Sequence, residues 1–159
     1  MSSCVFPGSF DPVTLGHMDI IYRAASIFDK VTVAVMVNVQ KAGAVTPEKR
    51  LELLRTACRE LKNVQVVYWD GLLADYMRLN GERCIIRGTR NGAEFDAENT
   101  SAAVNRILNP DVETLILPSS DRLAHVSSSM VREIASFGGD IRQFVPASVA
   151  DEIQRLLSK

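Results

Sequence analysis

Ser3-Cys4-Val5-Phe6-Pro7-Gly8-Ser9-Phe10-Asp11-Pro12-Val13-Thr14-Leu15-Gly16-His17 contains a strand, a turn and the mouth of a helix. Ser3–Phe6 reads as a short strand, and the Pro, Gly and Asp that follow read as a loop. Gly16–Phe28 reads as a helix with Ile20, Ala24 and Ile27 on one face. A strand that feeds a helix through a glycine-bearing loop is the first unit of an α/β fold. The first turn of a helix presents unpaired N–H groups and partial positive charge, so this loop invites phosphate. Near the other end, Val126-Ser127-Ser128-Ser129-Met130-Val131-Arg132 reads as a second loop opening a helix. Brought together, two such ends would grip a polyphosphate from both sides.

Outward from that block the unit repeats. Val31–Val37 is an almost unbroken β-branched run, the pattern of a parallel strand covered on both faces. Thr46 caps a helix with Pro47 at its first position and Glu48 in its first turn, and Leu51, Leu54, Cys58 and Leu61 form its buried stripe. Val64–Trp69 is a third strand, and Leu72–Leu79 is a helix that stops near Gly81. A fourth strand lies in Arg83–Arg87, and a long helix fills much of Glu94–Leu108 until Asn109-Pro110 ends it. Val112–Leu117 is a fifth strand, and helices near Ser128–Phe137 and Ala147–Leu157 close the chain, broken at Gly138-Gly139. The order predicts a single domain over 1–159: an α/β, doubly wound, Rossmann-like sheet of five parallel strands with C-terminal helices. Ligands of such sheets bind beyond the carboxyl ends of the strands, where Ser9, Lys41, Arg87 and Leu123 all fall.

The bulk properties narrow the function. A net charge of −1 argues against nucleic acid as the main partner, which calls for a broad basic surface. No apolar run approaches the length of a membrane span, and no signal peptide precedes Cys4. The three widely spaced cysteines, Cys4, Cys58 and Cys84, read as buried reduced thiols rather than a disulfide frame or a zinc site. A cytoplasmic enzyme or binding protein is expected.

Several residues carry chemistry. The chain has neither G-x-x-x-x-G-K-[ST] nor a G-x-G-x-x-G after its first strand, so both common phosphate fingerprints are excluded. Gly8 lets the backbone approach a ligand closely. His17 stands at the mouth of a helix beyond the first strand, placed to donate a hydrogen bond to a phosphate oxygen. Lys41, in a loop with Gly43 after the second strand, can reach a phosphate as a point charge. Arg87-Gly88-Thr89-Arg90 supplies two guanidinium forks near the same crevice. Glu98 by itself reads as an ordinary exposed carboxylate, and His125 as structural or peripheral. One of Ser127, Ser128 and Ser129 caps its helix, and a run of three offers more hydroxyls than a cap requires.

Together these residues resemble the phosphopantetheine adenylyltransferases of the nucleotidyltransferase superfamily. The resemblance covers essentially the whole chain. It is carried by Pro7-Gly8-Ser9-Phe10-Asp11-Pro12-x-Thr14-x-Gly16-His17, which holds the superfamily's T/H-x-G-H motif. Val33–Lys41, Arg87-Gly88-x-Arg90, Phe95-x-x-Glu98, Asn105-Arg106 and Val126-Ser127-Ser128-Ser129 add to it. The resemblance implies transfer of an adenylyl group from ATP to the 4′-phosphate of phosphopantetheine, giving dephospho-coenzyme A and pyrophosphate. It implies catalytic roles for His17, Lys41 and Arg90. It places ATP against Ser9, Phe10, His17, Gly88, Thr89, Arg90, Glu98, Leu123, Ala124, His125, Val126, Ser127, Ser128 and Ser129. Phosphopantetheine would meet Ser9, Lys41, Leu73 and Arg87. It further implies a homohexamer built as a dimer of trimers, and inhibition by coenzyme A. Mg²⁺ would be held through substrate and water, with no protein ligand for the metal. The first motif alone leaves open adenylyl transfer to nicotinamide mononucleotide or a CTP-dependent reaction on a phosphorylated alcohol. A non-catalytic nucleotide sensor is the reading from another class.

Overall fold

The computed structural model describes residues 1–38, 40 and 42–158. Five strands form one sheet: β1 (Ser3–Gly8), β2 (Lys30–Met36), β3 (Val64–Trp69), β4 (Cys84–Thr89) and β5 (Glu113–Pro118), in the spatial order β3-β2-β1-β4-β5. Every pairing is parallel, with Val5 opposite Ile85 and Thr32 opposite Gln65, for example. Parallel neighbours need a crossover between them. The crossovers are α1 (Leu15–Ile27), α2 (Pro47–Cys58), α3 (Leu73–Asn80) and α4 (Gly92–Leu108); α5 (Ser128–Ser136) and α6 (Ala150–Leu157) follow β5.

Residues alternate between two cores. Cys4, Phe6, Val31, Val33 and Val35 point to the larger one, where α1, α2, α5 and α6 bring Ile21, Leu54, Val131 and Ile153. Val5, Ala34 and Ile85 point to the opposite face, where α3 brings Tyr76 and Met77. This is the doubly wound arrangement, and it explains why β2 shows no polar alternation: both of its faces are covered.

The local signals sit where the sequence puts them. Thr46 caps α2 with Pro47 next to it, Gly81 closes α3 with φ +66°, and Gly138 with φ +78° ends the last turn of α5. Three details differ. Ile27 is exposed, because the last turn of α1 lies beyond its buried residues Met18, Ile20, Ile21 and Ala24. The buried stripe of α2 runs through Arg50, Leu53, Leu54 and Cys58; Leu51 is half-buried, and Leu61, also half-buried, lies beyond the end of the helix. Cys84 is likewise only half-buried, whereas Cys4 and Cys58 are buried; all three thiols are free. No helix among the described residues is long and apolar enough to cross a membrane.

Candidate active site

The chain leaves β1 toward β2 and leaves β4 toward β5. The loops after β1 and β4 therefore part, and a cleft of about 540 Å³ opens between them. Phe6, Pro7 and Gly8 of β1 and Gly88 of β4 line its floor, with Ile20 of α1 beside them. A Cβ at position 88 would stand 2.9 Å from Ile20 Cγ1, so the glycine is what lets α1 pack this closely on β4.

The first end to enter the cleft is that of α1. Thr14 Oγ1 accepts the main-chain N–H of His17 at 3.3 Å, and His17 Nδ1 accepts the main-chain N–H of Thr14 at 3.0 Å. This is a reciprocal capping box with histidine in the place of the usual Glu or Gln. An acceptor at Nδ1 carries no proton, so the neutral ring bears its proton on Nε2. Burial pushes the His17 pKa down to about 4, and the charges of Arg87 and Arg90 push in the same direction. His17 is thus a neutral Nε2–H donor, and it lines the cleft. The Phe10 ring covers it, edge-on, with centroids 4.8 Å apart. Phe10 holds φ +47°, a left-handed backbone that costs a residue with a Cβ about 1–2 kcal/mol, and burial of its ring offsets that cost.

The second end is that of α5. Ser127 caps it by accepting the N–H of Met130 at 3.1 Å. Ser128 Oγ donates to the Pro12 carbonyl at 2.8 Å, and Arg132 Nη1 donates to the Asp11 carbonyl at 2.6 Å. These bonds draw the mouth of α5 against the loop that feeds α1. The two helix ends anticipated from the sequence do meet.

On the β2 side, the wall of the cleft is a clamp built around the buried Arg50. The Asp11 carboxylate accepts the main-chain N–H groups of Ala44 (3.0 Å) and Val45 (2.8 Å), and it faces Arg50 Nε at 3.5 Å. Arg50, only 6% exposed, donates to the carbonyls of Val45 (2.7 Å) and Ser9 (3.3 Å). Gly43 lies flat on this pair: a Cβ there would fall 1.7 Å from Arg50 Nη2. On the β4–α4 side, Arg87 forms a two-pronged bridge to Glu98 at 2.6 and 2.9 Å and also donates to the Pro7 carbonyl. Arg90, just before the Asn91 cap of α4, pairs with Glu94 in the first turn of that helix, and its main-chain N–H donates to the same carboxylate.

Ser9, Phe10, His17, Arg87, Gly88, Arg90, Glu98, Val126, Ser127 and Ser128 all line this cleft. Thr89 is buried at the end of β4, and Leu73 begins α3; neither is in the lining. Leu123 ends a 3₁₀ turn (Asp121–Leu123), Ala124 follows it, and His125 stands edge-on to Phe144. None of these three lines the cleft, and Ser129 sits in the first turn of α5 outside the lining. Lys41 lies outside the described residues.

Sequence reasoning passed over Asp11, Arg50, Glu94 and Arg132, all of which face the cleft. Arg50 left a signal: with Leu54 and Cys58 it keeps an i, i+4, i+8 spacing, which puts a charge on a buried stripe. Among the described residues no group of three or more His, Cys, Asp and Glu could hold a metal. The cleft carboxylates Asp11, Glu94 and Glu98 are each engaged by arginine or main-chain N–H groups. Such a donor set fits a divalent ion carried on nucleotide phosphates and water rather than one caged by the protein.

Comparison with known proteins agrees with this geometry. Residues 5–134 match the cytidylyltransferase-like family model. The phosphopantetheine adenylyltransferase of Caldanaerobacter subterraneus subsp. tengcongensis is 44% identical over 159 residues, covering 100% of this chain and 99% of the relative. That of Heliobacterium modesticaldum is 46% identical over 149 residues, 94% of this chain and 89% of the relative. A crystal structure from Vibrio parahaemolyticus, of a protein proposed as a nicotinate-nucleotide adenylyltransferase, superposes with a TM-score of 0.67. It is 16% identical, over 97% of this chain and 95% of the other, and so speaks for the fold alone. With full-length relatives at this level of identity, the chain belongs to the phosphopantetheine adenylyltransferase family within the cytidylyltransferase-like proteins.

Proposed function

We propose that the cleft transfers an adenylyl group reversibly from ATP to 4′-phosphopantetheine, giving dephospho-coenzyme A and pyrophosphate. The observation that carries this reading is the meeting of two helix N-termini over a neutral histidine in a chain of this family. A phosphate oxygen of the acceptor attacks the α-phosphorus of ATP in line, the bond to the β-phosphate breaks, and no covalent enzyme intermediate forms. The acceptor is largely ionised at neutral pH, so the reaction needs no general base. It needs alignment and donors aimed at the charge that builds on phosphorus. His17 Nε2–H, Arg90 and the N–H groups of α1 and α5 supply them. Lys41 is assigned to the acceptor phosphate by resemblance alone. ATP enters as its magnesium complex, the ion offsetting charge on the pyrophosphate that leaves.

By resemblance ATP is assigned to Ser9, Phe10, His17, Gly88, Thr89, Arg90, Glu98 and the segment from Leu123 to Ser129, and phosphopantetheine to Ser9, Lys41, Leu73 and Arg87; Leu73, Thr89, Leu123, Ala124, His125 and Ser129 stand outside the cleft lining, so their contacts would be made beyond its rim. The chain works as a homohexamer, a dimer of trimers. Supporting self-association, α4 buries none of its residues and leaves Phe95, Val104, Ile107 and Leu108 exposed beside Leu115 of the edge strand β5. Coenzyme A, which repeats the product's structure, acts as an inhibitor. The cytoplasm is the working compartment, in keeping with three free thiols.

The test is pyrophosphate release from ATP and Mg²⁺ with and without phosphopantetheine, with dephospho-coenzyme A followed by mass. Release that depends on phosphopantetheine is the expected result. Release that depends instead on nicotinamide mononucleotide would replace the acceptor, and ATP binding without any release would make the chain a sensor.

A further inference from the structure

Within the cleft, Arg90 is already holding an anion. Its Nε donates to Glu94 Oε1 at 2.9 Å, its Nη2 reaches the same oxygen, and its main-chain N–H donates to Oε2 at 2.8 Å. Guanidinium fork plus main-chain N–H is the donor set that would receive a phosphate oxygen. Glu94 and a phosphate arriving at Arg90 therefore compete for the same hydrogens. The neighbouring pair is built differently: Arg87 is also anchored to the Pro7 carbonyl, and its partner Glu98 is more deeply set. Arg90 has only a 3.4 Å contact to the Val126 carbonyl besides Glu94, and both side chains of its pair are 32% exposed. A part-exposed pair between the residue before the α4 cap and the first turn of the helix is weak and can open readily.

We propose that Glu94 is a displaceable internal occupant of the Arg90 anion position, an autoinhibitory contact that the phosphates of the nucleotide must open. No bond to phosphorus is involved; one carboxylate gives way to another anion. Because the carboxylate opposes substrate and product alike, it holds down the affinity for both and keeps pyrophosphate from lingering after transfer. The inference rests on the reading of the cleft as a nucleotide site.

Calorimetric titration of the full-length protein with pyrophosphate tests it. Glu94→Gln should bind pyrophosphate about two- to fivefold more tightly than the parent, as expected for removing a competitor held by a weak pair. A residue that merely orients Arg90 would do the opposite, and its loss would weaken binding. In an Arg90→Gln background the Glu94→Gln change should leave the dissociation constant where it was. Equal or weaker binding by Glu94→Gln overturns the proposal. So does the same tightening without Arg90, which would mark a long-range effect of net charge. Failure of parent and variant alike to bind pyrophosphate would bring down the nucleotide reading of the cleft, and the inference with it.

Discussion

The two walls of the cleft hold their charges in opposite ways. Beside β2, Arg50 is buried and Asp11 partly so, and main-chain groups of Ser9, Ala44 and Val45 satisfy the bonds they have to spare. Beside β4, the arginines meet glutamates that project from α4, a helix without a single buried residue. The first wall joins two loops into one piece and has no charge left to exchange. The second keeps its cations in contacts that water already reaches. A cleft that must be rigid and yet admit an anionic ligand can thus divide the two tasks between its sides.

That contrast can be broken most forcibly at Arg50. Arg50→Met leaves the partly buried Asp11 without its cation, and breaking a pair buried this far costs up to about 3–5 kcal/mol. A urea unfolding midpoint close to the parent's would mean that the clamp does not hold the wall. Between the walls, His17→Ala should cost about 3–4 kcal/mol of transition-state stabilisation, read as a fall in kcat with little change in the KM for ATP. Unchanged kcat would remove His17 from the reaction.

Gly43→Ala sharpens the contrast from inside the clamp. Its methyl falls on the Arg50 guanidinium, and overpacking of this kind costs about 1–3 kcal/mol. Thermal melts should show the loss, and an undisturbed melt would mean that the loop carries position 43 away freely. On the other wall, Glu94→Gln should change stability by less than about 1 kcal/mol, because its pair is half-exposed.

Near neutral pH the histidine between the walls should give no effect at all. With its pKa near 4, His17 stays neutral from about pH 6 to 9, so kcat/KM should show no limb that belongs to it there. Its folded pKa lies below the unfolded value of 6.5. Its contribution to stability is therefore whole above pH 6.5 and is lost as the pH falls toward 4. A limb near pH 6.5 that disappears in His17→Asn would show the ring titrating in its ordinary range.

Much of the fold was legible because its signals are local. The covered strand Val31–Val37, the Thr46-Pro47 cap and the Gly138-Gly139 stop each depend on neighbours in sequence, and the structure has all three. The two helix ends of the site were legible for the same reason. What was not legible depends on side chains that reach across the fold. Arg50 reads as one more polar residue of a first turn until the Ser9 carbonyl, 41 positions earlier, is seen to be its partner. Glu98 reads as an exposed carboxylate until Arg87 arrives from β4. Ile27 misled in the other direction: the period was right, but the helix outlasts the core beneath it.

The capping box at the head of α1 has a consequence for how such a chain can change over time. Because the His17 ring caps the helix and also supplies the donor in the cleft, one side chain answers to two selective pressures. A lineage that abandoned the chemistry would still need an acceptor at position 17 to begin the helix. Asn or Gln could meet that need in part, so a descendant that lost its activity should drift there toward polar amides before it accepts an apolar residue.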